Sequence, residues 1–423
     1  MKSFQLKGGI PLKGQVRISG SKNTALPLIA ASLLTEEPVI LKNVPNLEDV
    51  RTMVDILKHV GVAVSFRDGT MAITPKSGLG NHLPYESVRK MRASFNVLGP
   101  LVMRHGEAHV PLPGGCAIGP RPVDMHLEGM RALGIETTIN HGVVSAKRIQ
   151  TPDAQTFHLR IPSVGTTEQL LSIAVLMEGA EVVLNNVALE PEVQEMALFL
   201  NRMGARIEGI GTSALRITGV KRLFGTEYEI IPDRIETGTY LLAALVSRGD
   251  VELVGYHPGH NVTLVRKLQE MGADIRESEN RIRARYLRPL RGTDIHAEVY
   301  PGVPTDLQPQ LTVLAAVSEG VSVITDTVFT DRFVHVDELK RLGANCSVRN
   351  HTIIVHGVDQ LKGAPVKAND LRGAAALILA GINAKDQTVI QNIDYIFRGY
   401  EEISSKLRGI GAQCELVEEE LAS

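Results

Sequence analysis

The chain of 423 residues has no tryptophan, and only 4% of it is aromatic. So few aromatic faces leave little on which single-stranded nucleic acid could stack. Net charge is nearly absent as well: 45 Lys and Arg stand against 47 Asp and Glu, a balance of −2, with no long like-charge block. A protein that coats nucleic acid or an anionic membrane needs a basic patch or stripe, and this balance argues against one. No apolar run approaches the ~20 residues of a membrane span; the longest candidate, 374–382, is short and rich in small residues. The opening residues 1–9 lack the apolar core of a signal peptide. Three cysteines, an odd number, suit a reducing cytoplasm better than a disulfide framework. No His/Cys cluster has metal-ligand spacing. The expectation is a soluble, cytoplasmic protein without nucleic-acid or membrane partners. Its 43% hydrophobic and 22% charged residues are enough to bury a core. Length alone suggests about three domains of roughly 150 residues.

What is present is a repeat. A fragment of helix, glycine, small or polar residue and strand recurs around Gly61, Gly134, Gly204, Gly272, Gly343 and Gly411, at intervals of 68 to 73 residues. Alternating strands such as Val39–Asn43 and Val389–Asn392 precede the copies. An amphipathic helix follows; in the first copy Leu47, Val50, Met53, Val54, Leu57 and Val60 share one face. Asn46 is its expected N-cap, with Glu48 and Asp49 complementing the dipole. The repeat glycine suits the helix C′ position, where φ > 0 is usual. A more apolar helix comes earlier in each copy, as in Thr24–Leu34, Thr239–Val246 and Leu311–Val317. Each unit reads strand, helix, strand, helix, strand, strand. Six units in two groups of three, divided near 221–232, predict an α/β protein of two domains, 22–230 and 1–21 with 231–423. One long doubly wound sheet is the alternative, and it does not require such regular spacing.

The turns into the first helix of each unit are polar. They read Ser19-Gly20-Ser21-Lys22-Asn23, Arg89-Lys90-Met91-Arg92, Ser163-Val164-Gly165-Thr166-Thr167, Asp233-Arg234-Ile235-Glu236-Thr237, Pro304-Thr305-Asp306 and Asn369-Asp370-Leu371-Arg372. Free N–H groups and the helix dipole make such points natural anion sites. Ordinary capping explains the Ser and Thr. It does not explain Lys22, Arg92 and Arg372, whose charge opposes the dipole and suggests a second, anionic party.

Two cysteines are accounted for by the repeat. Cys346 and Cys414 occupy the strand slot held elsewhere by Val64, Ile207 and Ile275, and are expected in the core. Cys116 has no equivalent. It lies in a loop, residues 111–124, with four prolines and three glycines, the composition of a lid or binding element. Arg121 nearby would favour its thiolate, as nucleophile or proton donor, but a structural thiol is equally consistent with the loop.

Together these residues make the chain resemble the UDP-N-acetylglucosamine 1-carboxyvinyltransferase family, the enolpyruvyl transferases that open peptidoglycan synthesis. The resemblance spans about 1–417. It rests on Gly20-Ser21-Lys22-Asn23, Met91-Arg92-Ala93-Ser94, Gly114-Gly115-Cys116-Ala117-Ile118-Gly119, Arg121-Pro122-Val123-Asp124, Pro304-Thr305-Asp306, Asp370-Leu371-Arg372-Gly373-Ala374 and Arg398-Gly399-Tyr400-Glu401. It implies two inside-out α/β barrels of three βαβαββ repeats each, an active-site cleft between them, and an N-terminal strand that returns to the C-terminal domain. It also implies a reaction: transfer of the enolpyruvyl group of phosphoenolpyruvate to the 3′-hydroxyl of UDP-N-acetylglucosamine, releasing phosphate, with no cofactor and no metal.

The same resemblance assigns residues. Cys116 is the general acid, able to form a covalent adduct with the enolpyruvyl substrate, and Asp306 is the base. Lys22, counted with the catalytic groups, joins Asn23, Arg121, Arg372 and Arg398 around phosphoenolpyruvate, with Asp370 and Leu371 alongside. Arg92, Arg121, Pro122, Val123, Asp124, Ser163, Val164, Gly165, Asp306 and Val328 line the sugar-nucleotide site. Some relatives carry a lysine just before the Ser-Val-Gly turn, where this chain has Ile161-Pro162, so Arg160 is a candidate for the diphosphate. The rival of the same fold, 5-enolpyruvylshikimate 3-phosphate synthase, is disfavoured by Asn23 and Cys116. A non-catalytic sugar-nucleotide binder is disfavoured by the retained acid, base and clamp. Arg398 could instead be a structural ion-pair partner, and Arg234 and Glu236 read as hinge or core polar residues.

Overall fold

The first repeat shows why these sequences fold as they do. Helix Lys22–Ala31 is apolar almost all round and buries eight of its ten residues, as a helix without a polar face must. Helix Glu48–His59 has a one-sided stripe and buries only that side, Val50, Met53, Val54, Ile56 and Leu57 among it. Strands Val39–Lys42, Ala63–Arg67 and Thr70–Thr74 then form a sheet with one face covered. The computed structural model describes residues 2–114, 123–150 and 152–418. Among these, no helix is long and apolar enough to cross a membrane.

Every repeat glycine has the predicted left-handed backbone, with φ between 80° and 102° at Gly61, Gly134, Gly204, Gly272, Gly343 and Gly411. The chain divides into two units, not three, changing from one to the other between Ser19 and Gly20 and again between Ile231 and Pro232.

In the unit formed by the two ends of the chain, helices Arg234–Val246, Gln308–Ala316 and Leu371–Asn383 pack on one another. Every residue of the first two is buried, and only Leu371 of the third is not. Three four-stranded sheets belong to this unit, their strands alternating buried and exposed side chains. Helices inside and sheets outside is the inside-out arrangement. The middle of the chain repeats it: helix Leu98–His105 packs on Val164–Ala174, and Lys22–Ala31 on the 3-10 helix Arg92–Val97.

Among the described residues, five of the six sheets share one strand pattern, a parallel edge strand followed by an antiparallel ladder. The edge strand can be borrowed. Glu227–Glu229 runs parallel to Val39–Lys42, closing the middle unit on its own first repeat. Strand Lys2–Lys7 inserts between Gln387–Gln391 and Gln413–Glu418, antiparallel to both, which periodicity alone does not reveal. The second repeat departs from the predicted pattern. Its sheet has three strands, Glu107–Pro111, Ile135–Asn140 and Val143–Arg148, and a single parallel bridge from His82 to His109 where the edge strand would be. Cys346 and Cys414 are buried free thiols on strands, as expected, and burial raises the pKa of both.

Candidate active site

Asp306 sits in the 3-10 turn Thr305–Leu307 that leads into helix Gln308–Ala316. Its carboxylate is gripped from two sides. Oδ1 accepts Nη1 of Arg332 at 2.8 Å; Oδ2 accepts Nε and Nη2 of Arg372 at 3.1 and 2.8 Å, a bidentate fork. Burial alone would raise its pKa, but the charges and hydrogen bonds of Arg372 and Arg332 overcome that and hold it far below the usual carboxylate range. Arg372 is placed by the cap of its helix: Asp370 accepts the amides of Arg372 and Gly373, and the guanidinium lies 5.4 Å from the Tyr400 ring centroid. Both arginines keep a buried nitrogen without a hydrogen-bond partner among the described residues, Nε of Arg332 and Nη1 of Arg372. Unsatisfied buried donors are costly, so an anion that accepted from either would remove a penalty that the fold otherwise carries. Arg398 ends the 3-10 helix Ile393–Arg398, half-buried. A Cβ on the next residue, Gly399, would lie 2.7 Å from Leu371 Cδ2, so this corner packs closely against the leucine that starts the Arg372 helix.

In the middle unit, Lys22 and Asn23 open their helix and Ser21 caps it, accepting from the Thr24 amide. Gly20 is needed just before it, because a Cβ there would fall 1.8 Å from the Asn43 carbonyl oxygen. Lys22 Nζ pairs with Asp49 Oδ2 at 3.0 Å, with both side chains largely buried. The anionic party implied by a cation at a helix start is thus internal at two places: Asp49 for Lys22 and Asp306 for Arg372. Side-chain caps also occupy four of the six helix starts, at Ser21, Ser163, Asp233 and Asp370. Ordinary capping therefore explains most of these turns. The two uncapped ones open as 3-10 helices, at Arg92 and at Thr305.

The remaining predicted positions fall at element ends. Val123 and Asp124 begin helix Asp124–Ala132, beside a cavity of about 450 Å³ lined also by Leu112, Leu127, Glu128 and Arg131. Ser163, Val164 and Gly165 start helix Val164–Ala174, with His126 packed against Gly165. Arg160 binds Asp124 and, at 3.4 Å, Glu128. Val328 follows strand Val321–Asp326 in the other unit. Cys116, Arg121 and Pro122 lie outside the described residues. One turn into its helix, Glu168 is fully buried. Burial pushes its pKa up to about 8, opposed by the Asn96 amide at 2.8 Å and reinforced by Glu192 and Glu190.

Two residues of this arrangement are missed by sequence reasoning. Arg332 lies in Asp331-Arg332-Phe333, a stretch with no motif or period, and only folding brings it to Asp306. Asp49 was expected to serve the helix dipole and serves Lys22. Asn46, the expected cap, accepts from Arg51 at 3.0 Å, while Leu47 occupies the cap position without a side-chain bond.

A family described as EPSP synthase (3-phosphoshikimate 1-carboxyvinyltransferase) matches residues 6–407. A UDP-N-acetylglucosamine 1-carboxyvinyltransferase of Thermotoga petrophila is 48% identical over 99% of this chain and 100% of that one. A UDP-N-acetylglucosamine 1-carboxyvinyltransferase 2 of Carboxydothermus hydrogenoformans is 46% identical over the same shares. Among solved structures, the enolpyruvyl transferase NikO from Streptomyces tendae superposes with a TM-score of 0.89 at 25% identity, covering 98% of both chains. EPSP synthase from Acinetobacter baumannii reaches 0.78 at 19% identity over 99% and 100%, which is a likeness of fold. The chain belongs to the EPSP synthase family and, within it, to the UDP-N-acetylglucosamine 1-carboxyvinyltransferases.

Proposed function

We propose that the protein is a cytoplasmic enzyme that transfers the enolpyruvyl group of phosphoenolpyruvate to the 3′-hydroxyl of UDP-N-acetylglucosamine. The observation that carries this reading is the Asp306 carboxylate held between two buried arginines at a helix start. The sugar hydroxyl attacks C2 of phosphoenolpyruvate and gives its proton to Asp306, while Cys116 protonates the methylene carbon. Loss of a proton from that carbon and cleavage of the C2–O bond then restore the vinyl ether and release phosphate. Lys22, Arg121, Arg372 and Arg398 hold the phosphate and carboxylate, Asn23 bonds at the reacting centre, and Arg332 joins this set. Arg92, Pro122, Val123, Asp124, Ser163, Val164, Gly165 and Val328 take the sugar nucleotide. Cys116 can also carry the covalent enolpyruvyl adduct.

The arginine grip has a mechanistic consequence. A carboxylate held by two guanidinium groups is a weak base. A substrate anion that engages Arg372 takes over part of the fork, leaves Asp306 with fewer cationic partners and raises its basicity when the hydroxyl proton must move. Binding and base activation become one event. Lys22 and Asn23 belong to one unit and Asp306, Arg332, Arg372 and Arg398 to the other.

A coupled phosphate-release assay with phosphoenolpyruvate and UDP-N-acetylglucosamine tests the reading. Turnover with that pair is expected. Release of phosphate with shikimate 3-phosphate as the only productive acceptor would overturn it.

A further inference from the structure

Asp326 ends strand Val321–Asp326 and is 0% exposed. A buried carboxylate is tolerated only when donors meet its oxygens, and here they come from two directions. Oδ1 accepts the backbone amides of Val328 at 3.0 Å and Phe329 at 2.9 Å, an Asx turn that fixes the chain just past the strand. Oδ2 accepts the Thr305 hydroxyl at 2.6 Å. That hydroxyl oxygen in turn accepts Nη1 of Arg332 at 3.2 Å, and the same nitrogen donates to Asp306 at 2.8 Å. On its other side the Arg332 guanidinium lies 5.7 Å from the Phe329 ring centroid. Both supports of Arg332, the Thr305 hydroxyl and the Phe329 turn, are therefore tied to one carboxylate.

From this geometry we propose that Asp326 is a positioning residue for the transfer reaction: it sets, through Thr305 and Phe329, where Arg332 holds the Asp306 carboxylate. This rests on the reading of Asp306 as the base. Asp326 touches no reacting atom. It also aligns two functions on one side chain, because the turn it caps carries Val328 while the hydroxyl it accepts belongs to the residue before Asp306.

Four substitutions and one double variant separate positioning from bulk stability. Asp326→Asn keeps Oδ1 for the two amides but presents an NH₂ donor to Thr305, so the hydroxyl chain to Arg332 is broken while the turn survives. Misplacement of a reacting group by about 1 Å costs on the order of a hundredfold. The expected result is a kcat lowered about ten- to a hundredfold, with KM for UDP-N-acetylglucosamine within about twofold of the unsubstituted enzyme. Thr305→Val should give the same split and Thr305→Ser should restore kcat. The double variant Asp326→Asn/Thr305→Val should be no slower than either single one, since both break one chain. Asp326→Ala, which also releases the turn, should raise KM for the sugar nucleotide as well. A kcat per folded molecule within about twofold of normal in both Asp326→Asn and Thr305→Val would overturn the inference. Crystal structures of the two variants decide the matter independently of turnover. Arg332 displaced from Asp306 supports the inference, and an unchanged 2.8 Å contact sinks it. Absence of phosphate release by the unsubstituted enzyme would instead refute the transferase reading, leaving the structural arm to judge Asp326.

Discussion

Replacing Asp306 by asparagine should make the protein less stable and inactive, yet a better binder of phosphoenolpyruvate. Asparagine keeps the shape and one acceptor but removes the charge that two guanidinium groups share. The side chains of Arg332 and Arg372 are 5% and 3% exposed, against 27% for Asp306. Removing one partner of a buried ion pair costs about 3–5 kcal/mol. Water reaches Asp306, so the lower figure, about 3 kcal/mol, applies. For a folding unit of 150–250 residues that lowers the unfolding midpoint by roughly 6–12 °C. The pH dependence has a definite sign. A carboxylate with a depressed folded pKa stabilises above its unfolded value of about 3.9, and that contribution fades as pH falls further. The gap between the two proteins should therefore narrow below about pH 4. Binding moves the other way. In the unsubstituted enzyme a substrate carboxylate competes with Asp306 for Arg372; in the variant it does not. A hydrogen bond to a charged group contributes about 1.5–3 kcal/mol, so affinity should rise roughly ten- to a hundredfold. Scanning calorimetry reads the midpoint, and isothermal titration with phosphoenolpyruvate in saturating UDP-N-acetylglucosamine reads the affinity. Weaker phosphoenolpyruvate binding, or an unmoved midpoint, would refute the competition argument.

Asp49→Asn removes the partner of Lys22 at a largely buried site; about 3 kcal/mol of stability should be lost, as read by urea unfolding. KM for phosphoenolpyruvate should change with it, and a variant normal in both respects would show that Lys22 needs no internal anion. Glu168→Gln should stabilise. A buried acid whose folded pKa is about 8 stays protonated while its unfolded counterpart ionises, so stability drains away between about pH 4.5 and 8. The glutamine variant should gain roughly 3 kcal/mol or more at pH 8 and nothing at pH 4 in guanidinium titrations; equal pH slopes would contradict this. Fosfomycin with UDP-N-acetylglucosamine should alkylate Cys116, visible as added mass on its peptide, and an unmodified peptide would remove that cysteine from the mechanism.

The sequence makes the architecture legible where one residue type has no substitute. Glycine is the usual answer to a left-handed helix end, so six spaced glycines expose six repeats, and all six adopt the expected φ. Fully apolar helices announce the interior in the same way. Asp306 and Arg372 are visible as motif residues, but their contact is not, because it joins positions 66 residues apart. Arg332 is hidden for the same reason and lacks even a motif. At Lys22 the dipole argument calls for an anion, and folding brings one, Asp49, from the next helix. Local rules see one element at a time, and counter-charges arrive from another. The borrowed edge strand Glu227–Glu229 and the inserted strand Lys2–Lys7 are invisible to periodicity, since each completes a sheet far away in the chain.

That inserted strand bears on how the protein is made. Lys2 pairs with Glu418 and Ser3 with Gln391, so this sheet forms only when strands about 400 residues apart meet. The described strands and core of the middle unit all come from residues between Gly20 and Ile231, so it can fold during synthesis. The other unit must keep strand Lys2–Lys7 unpaired until Gln387–Gln391 and Gln413–Glu418 have been made. Closing a loop of about 400 residues costs roughly 5 kcal/mol in chain entropy, a barrier met late and once. An unpaired strand held open that long is an aggregation risk. A circular permutant that links Glu418 to Lys2 and opens between Ile231 and Pro232 would bring the paired strands together in sequence, and it should refold faster than the native chain.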